Sequence, residues 1–138
     1  MIMPTQKIIL TNNPLLMENE SDLPEIRRVD SLGLEPVLLT ALELSQSGYK
    51  LISAPLPPNV PLIRAPYRSL LLNGNSRRYD AEGIKALEKA LEKARLLNSD
   101  RPPPGPDQAR DAAFIDRELL RKALSEYTHL QENYNKFS

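Results

Sequence analysis

Apolar residues fall along the chain in two patterns. Short unbroken runs occupy residues 7–11 (KIILT), 49–53 (YKLIS) and 67–72 (YRSLLL), bounded by Asn, Pro or Gly, and a weaker run occupies 25–30 (EIRRVD). Runs of this length without alternation fit strands covered on both faces. The second pattern has helical spacing. In EPVLLTALELSQSG, Val37, Leu38, Leu39, Ala41, Leu42 and Leu44 spread over much of a helical wheel, with Pro36 suited to the first helical position and Gly48 to the residue past the end. A helix apolar on so many sides is predicted to be largely buried.

A second helix is predicted from Asp80, a good N-cap, to about Leu97, with Ile84, Leu87, Leu91 and Ala94 on one stripe; Gly83 in its first turn weakens the start. The segment NSDRPPPGPD then stops all regular structure, since proline lacks the amide hydrogen and clashes with the preceding turn. The last helix, roughly Gln108 to Asn135, carries Ile115, Leu119, Leu120, Ala123, Leu124, Tyr127, Leu130 and Tyr134 over about half its circumference. That is wider than one core-facing stripe needs, so the helix either fills a groove of its own domain or also meets another chain.

Together these elements predict an α/β fold: a small, mostly parallel sheet of about four strands with flanking helices, in two or three layers, and a long C-terminal helix. The expected organisation is an α/β domain over 1–98, a proline-rich linker over 99–107 and the terminal helix over 108–138. With 138 residues, one domain is the natural reading. If the strands at 7–11 and 49–53 are parallel neighbours with 25–30 outside them, right-handed crossovers give the order 2-1-3. Thr11-Asn12-Asn13-Pro14 and Ser53-Ala54-Pro55 would then leave adjacent strand ends on one edge, where open α/β sheets bind ligands.

At that edge each candidate has an ordinary reading beside the functional one. Asn12 and Asn13 before proline terminate a strand well, and they also carry donors and an acceptor into a pocket without the desolvation cost of a charge. The loop after residue 53 holds five prolines from Pro55 to Pro66, stiffening a connection whose length is often functional, and one X–Pro bond could be cis. Pro55, Pro58 and Pro61 also match a PxxP spacing, a weaker reading for a loop fenced between strands.

Charge adds a second pointer. The chain is neutral, with 18 basic and 18 acidic residues, which argues against a nucleic-acid binder driven by net charge. Yet no acidic residue lies between Glu43 and Asp80, while Lys50, Arg64, Arg68, Arg77 and Arg78 do. Arg64 and Arg68 flank Tyr67, where guanidinium forks can hold a carboxylate or phosphate, or else pair with Glu18, Glu20 and Asp22.

Several chemistries lack their residues. Cysteine is absent, which removes disulfides, thiolate nucleophiles and Cys-bound metals. His129, the single histidine, falls on the polar side of the last helix, so no catalytic triad or His-rich metal site can be built. No glycine-rich phosphate loop occurs, and no acidic pair lies in the segments of the proposed edge. No catalytic residue, metal or cofactor is therefore assigned. No run approaches a membrane span and none near the start reads as a signal peptide, so a cytoplasmic protein is expected.

The stretches KIILTNNPL and GYKLISAPLPPNVPLIRAPYRSLLL resemble the GrdX family, small proteins encoded with the glycine, sarcosine and betaine reductase systems of anaerobic amino-acid-fermenting bacteria. The resemblance covers about residues 7–72 and rests on Thr11-Asn12-Asn13-Pro14, Gly48 with Lys50-Leu51, Pro55-Leu56, and Pro66-Tyr67 with Ser69. Where the family has histidine before the Pro-Leu pair and small residues after it, this chain has Ala54 and then Pro57-Pro58, so chemistry by that histidine is not expected here. The family's biochemical role is not established; its genetic setting implies an accessory or regulatory part in reductase metabolism.

The leading expectation is an α/β accessory protein binding a small anionic metabolite through Asn12, Asn13, Ser53, Arg64, Tyr67 and Arg68. The amides would donate hydrogen bonds, the arginines supply counter-charge, and Tyr67 give a packing face with a hydroxyl. The alternative is an interaction protein whose terminal helix forms a homodimer or grips a reductase component, and a carboxylate-using enzyme stands third. Neither nucleic acid nor a membrane is an expected partner.

Overall fold

The computed structural model describes residues 6–16, 23–74, 79–99, 102 and 104–137, the last eight by the course of the helix alone. These contain strands β1 (Lys7–Thr11), β2 (Glu25–Arg28), β3 (Lys50–Leu51) and β4 (Ser69–Asn73), and helices α1 (Leu34–Gln46), α2 (Val60–Ile63), α3 (Ala81–Asn98) and α4 (Pro106–Phe137). The α/β class is as expected, but the sheet is mixed and mostly antiparallel. Its order is β2-β1-β4-β3, with β1 parallel to β2 and β4 antiparallel to both β1 and β3.

The expected 2-1-3 order fails because β4 occupies the place beside β1 that β3 was to take. Burial explains the exchange: β4 (SLLLN) is buried at four of its five positions, whereas β3 is two residues long and exposes Lys50. The strand that can be covered on both faces goes to the centre. Ile8 faces Leu72 and Leu10 faces Leu70 across the central pair.

One consequence of the expected topology survives. The carboxyl ends of β1, β2 and β3 lie on one edge, where β4 begins. The ends of β1 and β3 are separated there by the first residues of β4, which fill the crevice that a parallel switch point would leave open.

Alternation along the strands splits the core between two faces. Ile8, Leu10, Leu70 and Leu72 pack with Leu34, Val37, Leu38 and Ala41 of α1 and Leu87, Ala90, Leu91 and Ala94 of α3. Ile9, Ile26 and Leu71 point the other way, against Leu120, Leu124 and Tyr127 of α4. The result is a three-layer sandwich: α1 and α3, the sheet, then α4.

Helix ends match their residues with two differences. Pro36 is the third residue of α1 rather than the first, behind an N-cap at Gly33 whose φ is 98°, and Gly48, at φ 104°, lies past the C-cap as expected. Asp80 caps α3 by accepting from the Gly83 amide, and its other oxygen accepts from Leu51 N of β3. A β-carbon on Gly83 would stand 2.1 Å from Asp80 Oδ2, so this glycine makes room for the cap it was expected to weaken.

The proline-rich loop contains α2, capped by Asn59 with Pro61 in its first turn, so Pro61 belongs to a helix and not to an extended PxxP ligand. All described peptide bonds are trans. Helix α4 starts at Pro106, two residues before the expected Gln108, using proline where a missing amide hydrogen costs nothing. The side chains of Leu130 and Tyr134, and Glu18, Glu20, Asp22, Arg77 and Arg78 altogether, lie outside the described residues. No described helix is long and apolar enough to cross a membrane.

Candidate functional site

The TNNP segment is held by its own side chains. Asn12 Nδ2 lies 2.8, 3.0 and 2.9 Å from the carbonyls of Ser31, Gly33 and Pro66, and Asn12 Oδ1 accepts from Arg68 N at 2.9 Å. One amide thus clamps the loop after β2, the start of α1 and the start of β4. Asn13, with no exposed surface, donates to Ala113 O and Asp116 Oδ2 of α4 and accepts from Leu15 N. Arg28 reaches across from β2 to the carbonyls of Asn13 and Leu16.

Both amides are therefore committed to protein partners, and both lie beneath the surface of the edge. The carboxylate they meet comes from α4. Asp116 is 4% exposed, yet it accepts from Ser69 N at 2.9 Å, Ser69 Oγ at 2.6 Å and Asn13 Nδ2 at 2.9 Å. Because a carboxylate only accepts, the Ser69 hydroxyl hydrogen points to Asp116. The Thr11 hydroxyl, 2.7 Å away, then donates to Ser69 and itself accepts from Asn13 N. Every member of this buried network is paired, as burial of polar groups requires.

Arg68 is the exception at its margin. It is 6% exposed; its Nε donates to Pro55 O at 3.1 Å and its Nη2 to Ala54 O at 2.5 Å. Nη1 comes only to 4.0 Å of Asp116 Oδ1, an ion pair without a hydrogen bond. Burial disfavours the cation and lowers the Arg68 pKa, while the Asp116 charge acts in the opposite direction. A desolvated guanidinium thus keeps two Nη1 hydrogens without a protein acceptor.

Arg68 opens onto a cleft of about 390 Å³ between the 52–58 segment and α4. Ile52, Ser53, Leu56 and Pro57 line one side, and Leu119, Lys122, Ala123, Glu126 and Tyr127 the other. Ser53 Oγ accepts from Leu71 N, and the Tyr127 hydroxyl accepts from Asn73 Nδ2 with Lys7 Nζ 4.7 Å above its ring.

Of the sequence-predicted residues, the cleft brings together Ser53 and Arg68. Tyr67 lines a small void with Arg68 and Asp116. Arg64 lines two other grooves, of about 520 and 740 Å³, with Pro102 and Pro104, and its Nε is buried without a partner. The two arginines therefore serve different cavities. Sequence reasoning missed Asp116, Lys122, Glu126 and the place of Tyr127. Asp116 carried a signal: it falls on the buried stripe of α4 with Ala112, Ala113 and Leu120, at helical spacing. The segments of the edge hold no acidic pair; the single carboxylate that enters it comes from α4, 47 positions beyond Ser69.

Among the described residues no three His, Asp or Glu side chains are grouped to hold a metal, and His129 is exposed on α4. A family model described as GrdX-like protein matches residues 8–125. The chain belongs to the GrdX-like protein family. The matched span runs well beyond residue 72, so the GrdX-like region takes in α3, the proline-rich segment and α4 through Ser125, including Asp116 and Lys122. No curated protein and no solved structure matches the chain.

Proposed function

We propose that this chain is an accessory protein that binds a small carboxylate metabolite in the cleft between the 52–58 segment and α4, in the setting of amino-acid reductase metabolism that the family resemblance implies. Arg68 carries the reading: a buried guanidinium whose Nη1 has no hydrogen-bond acceptor, on a residue that lines a cleft whose volume lies within the ~300–1,000 Å³ common for ligand sites. A buried charged donor without a hydrogen-bond acceptor gains most from a charged one. Asn12 and Asn13 act as positioning residues, holding the start of β4 so that Arg68 points along its edge. Arg64 and Tyr67 then support neighbouring surfaces and not the ligand itself.

Calorimetric titration with a panel of monocarboxylates tests this. Binding in the wild type should fall at least tenfold in Arg68→Lys, which keeps charge but loses the fork, and in Ala123→Phe, which fills the cleft with Arg68 intact. Equal binding by both variants would rule the site out.

A second reading has its own observation. Phe114 and Ile115 are 53% and 40% exposed on α4, where burying them needs another surface. We propose α4 as a protein-contact helix on that ground, with Phe114→Ser/Ile115→Ser expected to leave the fold intact while abolishing any self-association seen by light scattering.

A further inference from the structure

The cleft is a slot. Its α4 wall runs from Leu119 to Tyr127, about 12 Å of helix axis. Arg68 and Ser69 mark one end, since both face Asp116, one turn before Leu120. Glu126 stands near the other end, and Lys122 lies between.

The charges along this slot are ordered. Arg68 is partly neutralised by Asp116, while among the described residues neither Lys122 nor Glu126 has an ion-pair partner. A site for dianions would not carry an unpaired carboxylate at its rim, because a like charge repels the second anionic group. Between the charged ends, around Lys122, the walls are largely apolar, from Ile52 and Leu56 on one side and Leu119 and Ala123 on the other. The complement of such a slot is a linear molecule with an anion at one end, a cation at the other and apolar groups along its length.

We propose that the slot binds a short peptide with both termini free, its carboxylate on Arg68 Nη1 and its ammonium at Glu126. Lys122 donates to a peptide carbonyl midway. Length selects a peptide over a single amino acid: an extended chain spans about 3.3–3.6 Å per residue, so three residues cover roughly 10 Å. The ammonium and carboxylate of a free α-amino acid sit on one carbon and cannot reach both ends. This rests on the carboxylate-binding role proposed for Arg68, and the test separates the two.

The full chain is titrated with trialanine, N-acetyl-trialanine, trialanine amide, alanine and acetate, as wild type and as Glu126→Gln. Trialanine should bind at least tenfold tighter than alanine; acetylation should cost about tenfold, and amidation should remove binding. In Glu126→Gln, whose side chain is exposed, free and acetylated trialanine should bind alike. Equal binding of free and acetylated peptide by the wild type, or binding of alanine or acetate as tight as that of trialanine, would overturn the peptide assignment and leave the Arg68 site standing. No binding by any carboxylate would overturn both.

Discussion

The Ser69 hydroxyl donates to Asp116 at 2.6 Å, joining the first residue of β4 to the middle of α4. Removing the acceptor strands three donors at once: Ser69 N, Ser69 Oγ and Asn13 Nδ2. It also leaves the buried Arg68 cation without its counter-charge. Asp116→Ala should therefore cost about 3–5 kcal/mol, the range for breaking a buried charge pair from one side. Urea unfolding followed by circular dichroism measures it; a loss under ~1 kcal/mol would contradict the network.

Asn12 presents a different test, because its amide meets carbonyls on one side and an N–H on the other. Asn12→Asp keeps the shape and replaces the donors with an acceptor facing three carbonyls. It should destabilise by about 3 kcal/mol or more, roughly 10 °C in Tm by differential scanning calorimetry. Asn12→Ala should be milder than Asn12→Asp.

The glycine at position 83 offers a sign reversal. In the wild type, Gly83→Ala should destabilise by about 1 kcal/mol despite alanine's better helix propensity, because the new carbon displaces Asp80 from its bonds to Gly83 N and Leu51 N. In an Asp80→Ala background the same change should stabilise by about 0.5–1 kcal/mol. A double-mutant cycle in guanidinium reads both values.

Truncation after residue 105 tests whether α4 completes the domain. The shortened chain exposes the Ile9, Ile26 and Leu71 face and loses Asp116. It should bind a hydrophobic dye and unfold without a sharp transition, and a truncated chain unfolding as cooperatively as the full one would count against α4 as part of the core.

What the sequence disclosed, and what it hid, follows the range of the forces involved. Strands and helices were legible because KIILT and the Ile84–Leu87–Leu91–Ala94 stripe express local period and burial. The position of β4 was not, since strand order depends on which run can be covered on both faces, a comparison among distant segments. Composition and place in the loop marked Ser53, Arg64 and Arg68 alike, yet Ser53 and Arg68 line one cleft while Arg64 opens onto other grooves. The Asn pair was noticed for amides that point inward, and Asp116, though it stood on the buried stripe of α4, was passed over because the donors it meets lie on β4 and after β1, far away in sequence.

The bond from Asn13 to Asp116 closes across 103 residues. Contacts so far apart in sequence pay their loop-closure entropy before they return any stability, which slows folding. At roughly 5–20 residues per second of synthesis, Asn13 emerges several seconds before its carboxylate partner exists. During that interval the Ile9 and Leu71 face of the sheet has no cover. Once α4 is made, one docking event covers that second face of the core, closes the buried network and builds the α4 wall of the slot.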